Sequence, residues 1–280
     1  MLRYVRVDTE ADLLDALRKD GARLLSGGTD LIVKMRSGLV QPKSLVDPAA
    51  VPELRGIETA GGDLRIGAAT PLAEILASRE VGERAPLLAD VLRVLGCVQI
   101  RNRGTLGGNL ANASPAADSA IPLLLYEATL EVVGEGGTRS VPVDGFFLGP
   151  GRTVLERGEY IRAVHIPASR QDWITFFHKV GRRRALTIAI ASVGGLAAFS
   201  RGSVAEVRLA AGSVAPIPLR LRSAEERLAG RALDEEAVQR AGALAAEEVS
   251  PIDDVRATAR YRREVTRDLV ARFLAQAAGA

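Results

Sequence analysis

Gln99-Ile100-Arg101-Asn102-Arg103-Gly104-Thr105-Leu106-Gly107-Gly108-Asn109-Leu110-Ala111-Asn112-Ala113-Ser114-Pro115-Ala116-Ala117-Asp118 is the stretch on which the reading of this chain turns. Its centre, Thr105, Leu106, Gly107, Gly108 and Asn109, reads as a short glycine loop. Two adjacent glycines permit positive φ and leave room for a ligand oxygen against the main chain. Thr105 and Asn109 add side-chain hydrogen bonds at either edge. From Leu110 to Asp118 the residues are small or polar apart from Leu110 itself. Such a run packs poorly as core and well against a flat ligand, although a surface loop has the same composition.

A second loop of the same chemistry lies upstream at Ser26-Gly27-Gly28-Thr29-Asp30. Residues 22–25 read as a short buried strand and residues 31–36 as a helix, so this loop sits at a strand-to-helix junction. There, backbone N–H groups and the positive end of a helix dipole face whatever lies above, which suits a phosphate. Thr29 adds a hydroxyl donor. Asp30 would repel a phosphate and is expected to cap the helix that follows. Alone, this loop is equally an ordinary turn. Neither loop fits the common phosphate fingerprints: the chain has no G-x-G-x-x-G opening a βαβ unit and no G-x-x-x-x-G-K-[ST]. Two Gly-Gly loops suggest a ligand gripped from two sides, such as an extended dinucleotide with a pyrophosphate in its middle.

With 280 residues, 47% of them hydrophobic, the chain can bury a sizeable core as two domains or one large one. Aromatics are only 4%, so Leu, Val, Ile and Ala must build that core. Against 37 basic residues stand 34 acidic ones, spread along the chain for a net charge of +3. That is a mixed surface and argues against nucleic-acid binding. Cys97 is the only cysteine and His165 and His178 the only histidines. No intrachain disulfide, thiolate iron–sulfur site or usual zinc site can be built from them. No metal ligand set is assigned, and there is no histidine triad with a nucleophile elbow. Redox chemistry here would need an organic cofactor. The start of the chain lacks the apolar run of a signal peptide, and the longest uncharged stretch, residues 185–199 with Ser200 beyond them, falls short of the ~20 needed to span a bilayer. The expectation is a soluble, cytoplasmic protein without a membrane span.

Periodicity predicts a strand over residues 2–7. A helix to residue 19 follows, capped by Thr9 and stopped by Gly21, with Leu13, Leu14 and Leu17 on one face. Residues 64–67 read as a strand, and Thr70-Pro71 as a helix start with proline in the first position. A helix is expected over residues 86–95, a hairpin over 129–133 and 139–143, and a strand over 159–166 closed by Pro167. Beyond Pro167, strands are expected at 174–180, 187–199 and 204–214, with Gly202-Ser203 as a turn. Helices are expected at 219–228, 234–249 and 258–278. The last carries Tyr261, Val265, Leu269 and Phe273 at four-residue spacing, a stripe expected to face a core. Mixed elements without a regular βαβ repeat favour an α+β fold, with a boundary near residues 168–174. Arg182-Arg183-Arg184 reads as an exposed loop, with a partner or anion contact as the other reading. Cys97 reads as a small core residue. Glu247 with Glu248, and Asp253 with Asp254, are neighbours whose side chains point apart, so neither is an acid–base pair.

The pairing of S-G-G-T-D-L at residues 26–31 with the long run from Gln99 to Asp118 resembles the FAD-binding medium subunit of molybdenum hydroxylases. That is the family of bacterial carbon monoxide dehydrogenases and of the flavin domain of xanthine dehydrogenases. The resemblance covers nearly the whole chain, including the later F-H-K-V-G-R-R-R-A-L-T-I-A segment. It implies a two-part FAD-binding domain of the PCMH type over residues 1–170 and a C-terminal sheet-plus-helices domain over 171–280. Leu24, Leu25, Ser26, Gly27, Gly28, Thr29, Asp30 and Leu31 would form one pyrophosphate loop, and Thr105 to Asn109 the other. Asp118 would contact the flavin nucleotide, and Ile161 and Lys179 match positions that contact FAD. A cation there would stabilise a reduced flavin anion. The chain departs from the family at Ser26, where many relatives have alanine. It departs again at Val94 and Leu95, where xanthine dehydrogenases carry an aromatic residue. Neither histidine lies beside a glycine loop, so both read as structural and the flavin as noncovalent.

What the resemblance implies is the flavin subunit of a multi-subunit enzyme. A large partner subunit would hold the molybdenum cofactor and a small one two [2Fe–2S] clusters, in a dimer of heterotrimers. Electrons would pass from the clusters through FAD to an external acceptor. No catalytic residue is assigned to this chain. A stand-alone FAD-dependent oxidase or reductase would need its own base near the flavin, and none stands out. A non-catalytic scaffold whose glycine loops are mere turns is the reading from another class; flavin colour separates it from the other two.

Overall fold

The structure, a computed structural model, describes residues 1–183 and 187–279. Arg184, the last residue of the arginine run, lies outside them.

The chain opens with a small parallel sheet. Strand β1 (Arg3–Arg6) leads through helix α1 (Glu10–Arg18) to β2 (Ala22–Leu24), and α2 (Leu31–Arg36) leads to β3 (Ser44–Asp47), in the order β1-β3-β2. Thr9 Oγ1 accepts the Asp12 N–H at 3.2 Å and starts α1, which buries Leu13, Ala16 and Leu17. The middle strand β3 has no alternating pattern because it is buried on both faces.

Strands β4 (Ile57–Ala60) and β5 (Asp63–Gly67) begin a second sheet. Six short helices follow: α3 (Leu72–Ala77), α4 (Arg79–Arg84), α5 (Pro86–Val94), α6 (Val98–Arg103), α7 (Leu106–Ala111) and α8 (Ala120–Leu125). The hairpin β6 (Thr129–Gly134) and β7 (Gly137–Pro142), a ribbon of β8 (Phe147–Gly149) and β9 (Arg152–Thr153), and β10 (Tyr160–Ile166) complete this part. The second sheet is antiparallel, in the order β4-β5-β10-β6-β7. Its apolar face packs on the helices through Leu64, Ile66, Leu72, Leu88, Leu92, Leu106 and Leu124.

A third, antiparallel sheet runs β11 (Ile174–Val180), β12 (Ala191–Ser200), β13 (Ser203–Gly212) and β14 (Leu219–Arg220). Helices α9 (Arg222–Leu228) and α11 (Ala259–Ala278) cover one face, with α10 (Glu235–Glu248) packed on both of them, and α8 covers the other. Two adjacent glycines of β12 mark this double burial. A Cβ on Gly194 would lie 2.5 Å from Ile121 of α8, and one on Gly195 would lie 2.2 Å from the Phe273 ring of α11. Two buried arginines brace this part. Arg220 forms a bidentate pair with Glu225 at 2.7 and 2.8 Å, and Arg262 donates to the carbonyls of Ile190 and Ser213 and to Asp254.

The α+β architecture is as the sequence predicts, but several local expectations give way to tertiary structure. The second glycine stretch is no loop: Thr105 Oγ1 caps at the Gly108 N–H and Leu106–Ala111 is helical. The run beyond it is partly core, with Leu110, Ala113 and Ala117 buried. Pro71 stands at the N-cap of α3, one residue before the first helical position. Asp30 holds the N-cap position of α2 without a side-chain capping bond. Residues 219 and 220 pair with β13, so the helix starts at Arg222. Strand β12 begins at Ala191, later than residue 187, and the turn after it is Arg201-Gly202 with Ser203 already in β13. On α11 the buried face swings to Arg262, Thr266, Leu269, Val270, Phe273 and Leu274, leaving Tyr261 44% exposed.

Candidate functional site

The end of β2 runs into the segment Leu25 to Asp30, and the end of α6 runs into Gly104 and α7. These two segments meet across the first and second sheets. Ser26 Oγ lies 2.8 Å from Thr105 Oγ1, and a Cβ on Gly27 would fall 2.1 Å from the Arg103 carbonyl oxygen. Glycine is therefore required at 27 for backbone-to-backbone contact. Gly107 is packed in the same way, since its Cβ would sit 2.5 Å from that of Ala68. A Cβ on Gly108 would lie 2.8 Å from the capping hydroxyl of Thr105. Of the four glycines in the two motifs, only Gly28 has a left-handed backbone, with φ +74°. The expectation of positive φ in both loops is corrected accordingly: at Gly27, Gly107 and Gly108 close approach decides the residue.

Above this junction lies a cavity of about 950 Å³, at the upper end of the range of ~300–1,000 Å³ for small-molecule and cofactor sites. It is lined by Leu24, Ser26, Gly27, Gly28, Thr29, Asp30, Leu31, Thr105, Gly107, Gly108, Asn109 and Ile161 among the residues singled out in the sequence. Leu25, Leu106, Asp118 and Lys179 do not line it. Leu25 packs beneath Gly28, and Leu106 is fully buried. Asp118 and Lys179 form a buried ion pair of 2.5 Å that joins the segment after α7 to β11. Burial pushes the Asp118 carboxyl up, against the pull of the Lys179 ammonium. One carboxylate oxygen, Oδ1, remains without a partner.

The wall nearest the glycines is rich in donors. Among the described residues, the main-chain N–H groups from Ser26 to Asp30 have no protein acceptor. Successive N–H groups turned toward one space form an anion-binding concavity. Apolar side chains close the other walls, with Leu54, Leu72, Leu95 and Ile100 among them. Tyr160 adds a buried ring whose hydroxyl donates to Glu10 at 2.7 Å; burial and that bond push its pKa up. Glu10 also takes two bonds from Arg162, and Arg162 reaches Glu131 at 2.9 Å, tying α1 to the second sheet.

Sequence reading overlooks two parts of the lining. Lys34, one turn into α2, reaches Asn112 Oδ1 at 2.5 Å, and both line the cavity. Its signal is the spacing of six residues from Gly28. The stretch from Gly151 to Glu159, on the approach to β10, forms a further wall and carries no motif at all. The histidines lie elsewhere. His165 pairs with Glu131 at 3.2 Å, and His178 stacks on Phe176. Among the described residues no group of three or more His, Cys, Asp or Glu side chains could hold a metal ion, and no helix is long and apolar enough to cross a membrane. Glu248 is occupied in accepting the N–H groups of Ser223 and Ala224, and Asp253 in accepting that of Ala259. Cys97 is half-buried at the N-cap of α6.

Comparison with known proteins places this architecture. Residues 1–169 match the FAD binding domain in molybdopterin dehydrogenase, and residues 176–277 match the CO dehydrogenase flavoprotein C-terminal domain. The chain is 36% identical over 262 residues to the carbon monoxide dehydrogenase medium chain of Hydrogenophaga pseudoflava, covering 94% of this chain and 91% of that one. It is 32% identical over 280 residues to the xanthine dehydrogenase FAD-binding subunit of Escherichia coli O157:H7, covering 99% and 96%. A chain of reconstituted CO dehydrogenase from Oligotropha carboxidovorans superposes with a TM-score of 0.96 at 30% identity, over 100% of this chain and 98% of that one. Both the sequence and the overall fold are thus shared along nearly the whole chain, and the chain belongs to the family of FAD-binding subunits of molybdenum hydroxylases.

Proposed function

We propose that this chain binds one FAD noncovalently in the 950 Å³ cavity and acts as the flavin subunit of a multi-subunit molybdenum hydroxylase. The observation that carries this reading is the row of acceptor-free N–H groups at Ser26–Asp30, locked against the Thr105–Asn109 segment. A diphosphate satisfies such donors, and the apolar walls suit the rings at its two ends. When bound, FAD supplies the exchange of electrons between iron–sulfur clusters on a partner chain and an external acceptor.

The chain's own residues bind and orient. Gly27 packs on the second segment, Gly107 on Ala68 and Gly108 on the Thr105 hydroxyl, while Gly28 turns the first segment; together they set the main chain beside the diphosphate, with Ser26, Thr29, Thr105 and Asn109 at its edges. Leu24, Leu31 and Ile161 supply apolar contact, and Asp30 lies at the rim. Asp118 stands behind the cavity lining; one of its carboxylate oxygens keeps no partner while Lys179 holds the other, and on that free oxygen rests the nucleotide contact we propose for it. Leu25 and Leu106 act from beneath by packing. The division we adopt is residues 1–170 for FAD and 171–280 for the C-terminal unit.

The relatives' names, medium chain and FAD-binding subunit, support a multi-subunit enzyme. The partners we propose are a large molybdenum subunit and a small [2Fe–2S] subunit, in a cytoplasmic dimer of heterotrimers. Mild tandem-tag purification from the native context tests this. Two further chains with molybdenum and iron should come with the protein. A monodisperse single chain that oxidises a small substrate unaided would instead establish a stand-alone flavoenzyme.

A further inference from the structure

Among the described residues, five basic side chains line the cavity: Lys19, Arg23, Lys34, Arg152 and Arg157. Four of them are exposed to solvent, and only Lys34 is half-buried. Among the described residues Lys34 has no carboxylate within ion-pair distance, and the polar side-chain partner of its ammonium is the neutral amide oxygen of Asn112 at 2.5 Å. Arg157, by contrast, is already paired with Asp20 at 3.3 Å. An ammonium withdrawn from water toward a neutral acceptor lacks a counter-charge, and the cavity it lines begins at the acceptor-free N–H groups of Ser26–Asp30. Asn112 follows α7, four residues beyond Gly108, so the Lys34–Asn112 contact also ties the two glycine segments together past the glycines.

We propose that Lys34 is a specificity-determining residue of the cofactor site: steered by Asn112, its ammonium neutralises the diphosphate of the bound dinucleotide. This rests on the reading of the cavity as the FAD site. A lysine is a compact point charge that suits the spread charge of a diphosphate without demanding one geometry. The consequence is selectivity for ligands that carry the diphosphate over neutral fragments of the same molecule. Asp30, the acidic residue of the first motif, lies at the exposed rim and does not pair with Lys34.

The test uses the full-length chain, stripped of flavin and titrated with FAD, ADP and riboflavin by fluorescence and calorimetry. Lys34→Met should weaken FAD and ADP by about 10- to 100-fold, the size of a lost charge-assisted bond, and leave riboflavin unchanged. Lys34→Arg should recover most of the loss. The salt dependence of FAD affinity should be shallower in Lys34→Met than in the native chain. Unchanged FAD affinity in Lys34→Met overturns the proposal, and so does an equal loss for riboflavin, which would mark a merely structural lysine. If Lys34→Met does not fold by circular dichroism, Lys34→Gln takes its place, and FAD affinity of the native chain independent of salt overturns the proposal without any variant. A native chain that binds neither FAD nor ADP defeats the FAD reading itself, a result distinct from a native chain that binds FAD with Lys34→Met equal to it.

Discussion

Replacing Gly27 with alanine should separate the two glycine segments. The added Cβ would lie 2.1 Å from the Arg103 oxygen and 2.7 Å from both Arg103 C and Gly104 Cα. All three are main-chain atoms, so no rotamer change relieves the clash, and ordinary contact begins at 3.4 Å. The segments must part by roughly 1 Å, and overpacking of this kind costs about 1–3 kcal/mol. The 2.8 Å contact between Ser26 and Thr105 cannot survive that movement, which adds about 1 kcal/mol. For a chain of this size the sum lowers the melting temperature by something on the order of 3–7 °C. Displacing the Ser26–Asp30 donors should also weaken FAD by about 100- to 10,000-fold, as two lost charge-assisted bonds would. The assay is thermal unfolding of the flavin-free chain, with FAD titration by fluorescence quenching on the same sample. Gly136→Ala is the control, because a Cβ there meets nothing within 4 Å. A Gly27→Ala chain with native melting temperature and native FAD affinity would refute the packing argument.

Four further outcomes follow from the same physics. Gly107→Val, which drives a branched side chain into Ala68, should leave a folded chain without flavin; normal flavin content by absorbance would show that the helix start tolerates bulk there. Gly195→Ala should destabilise the C-terminal unit by about 1–3 kcal/mol, because its Cβ meets the Phe273 ring at 2.2 Å, as read by denaturant unfolding. Arg220→Met should cost about 3–5 kcal/mol by leaving Glu225 buried and unpaired, whereas replacing both partners with apolar residues should recover much of it. Burial and the nearby Arg272 charge hold the His178 pKa below 6.5, so the folded state disfavours the charged ring. Its contribution to stability should fall as pH drops from 6.5 toward that lowered pKa, and His178→Phe should flatten the unfolding profile in that window.

The sequence was most legible where one local rule decides an element. Thr9 caps α1, and the strand at Ile174–Val180 and the helix at Leu31–Arg36 fall where periodicity puts them. It was least legible where tertiary contacts overrule propensity. Two adjacent glycines are poor helix formers, yet α7 forms because Thr105 caps it and Gly107 packs on Ala68. Strand β3 is too short and too evenly buried to show a period. Leu219 and Arg220 look helical in sequence but are captured by the edge of β13. At the site, the glycines were found for an incomplete reason, since close approach decides three of the four. Lys34 follows the first glycine segment by one helical turn but meets the second only in space, through Asn112, and the Gly151–Glu159 wall meets both only in space, so neither carries a motif.

One measurement bears most directly on the central claim: flavin stoichiometry of the purified full-length chain before and after acid precipitation. We predict one FAD per chain, with all the yellow colour released to the supernatant and chromatographing as intact FAD. A chain that carries no flavin, and that takes up none when FAD is added after stripping, would contradict it.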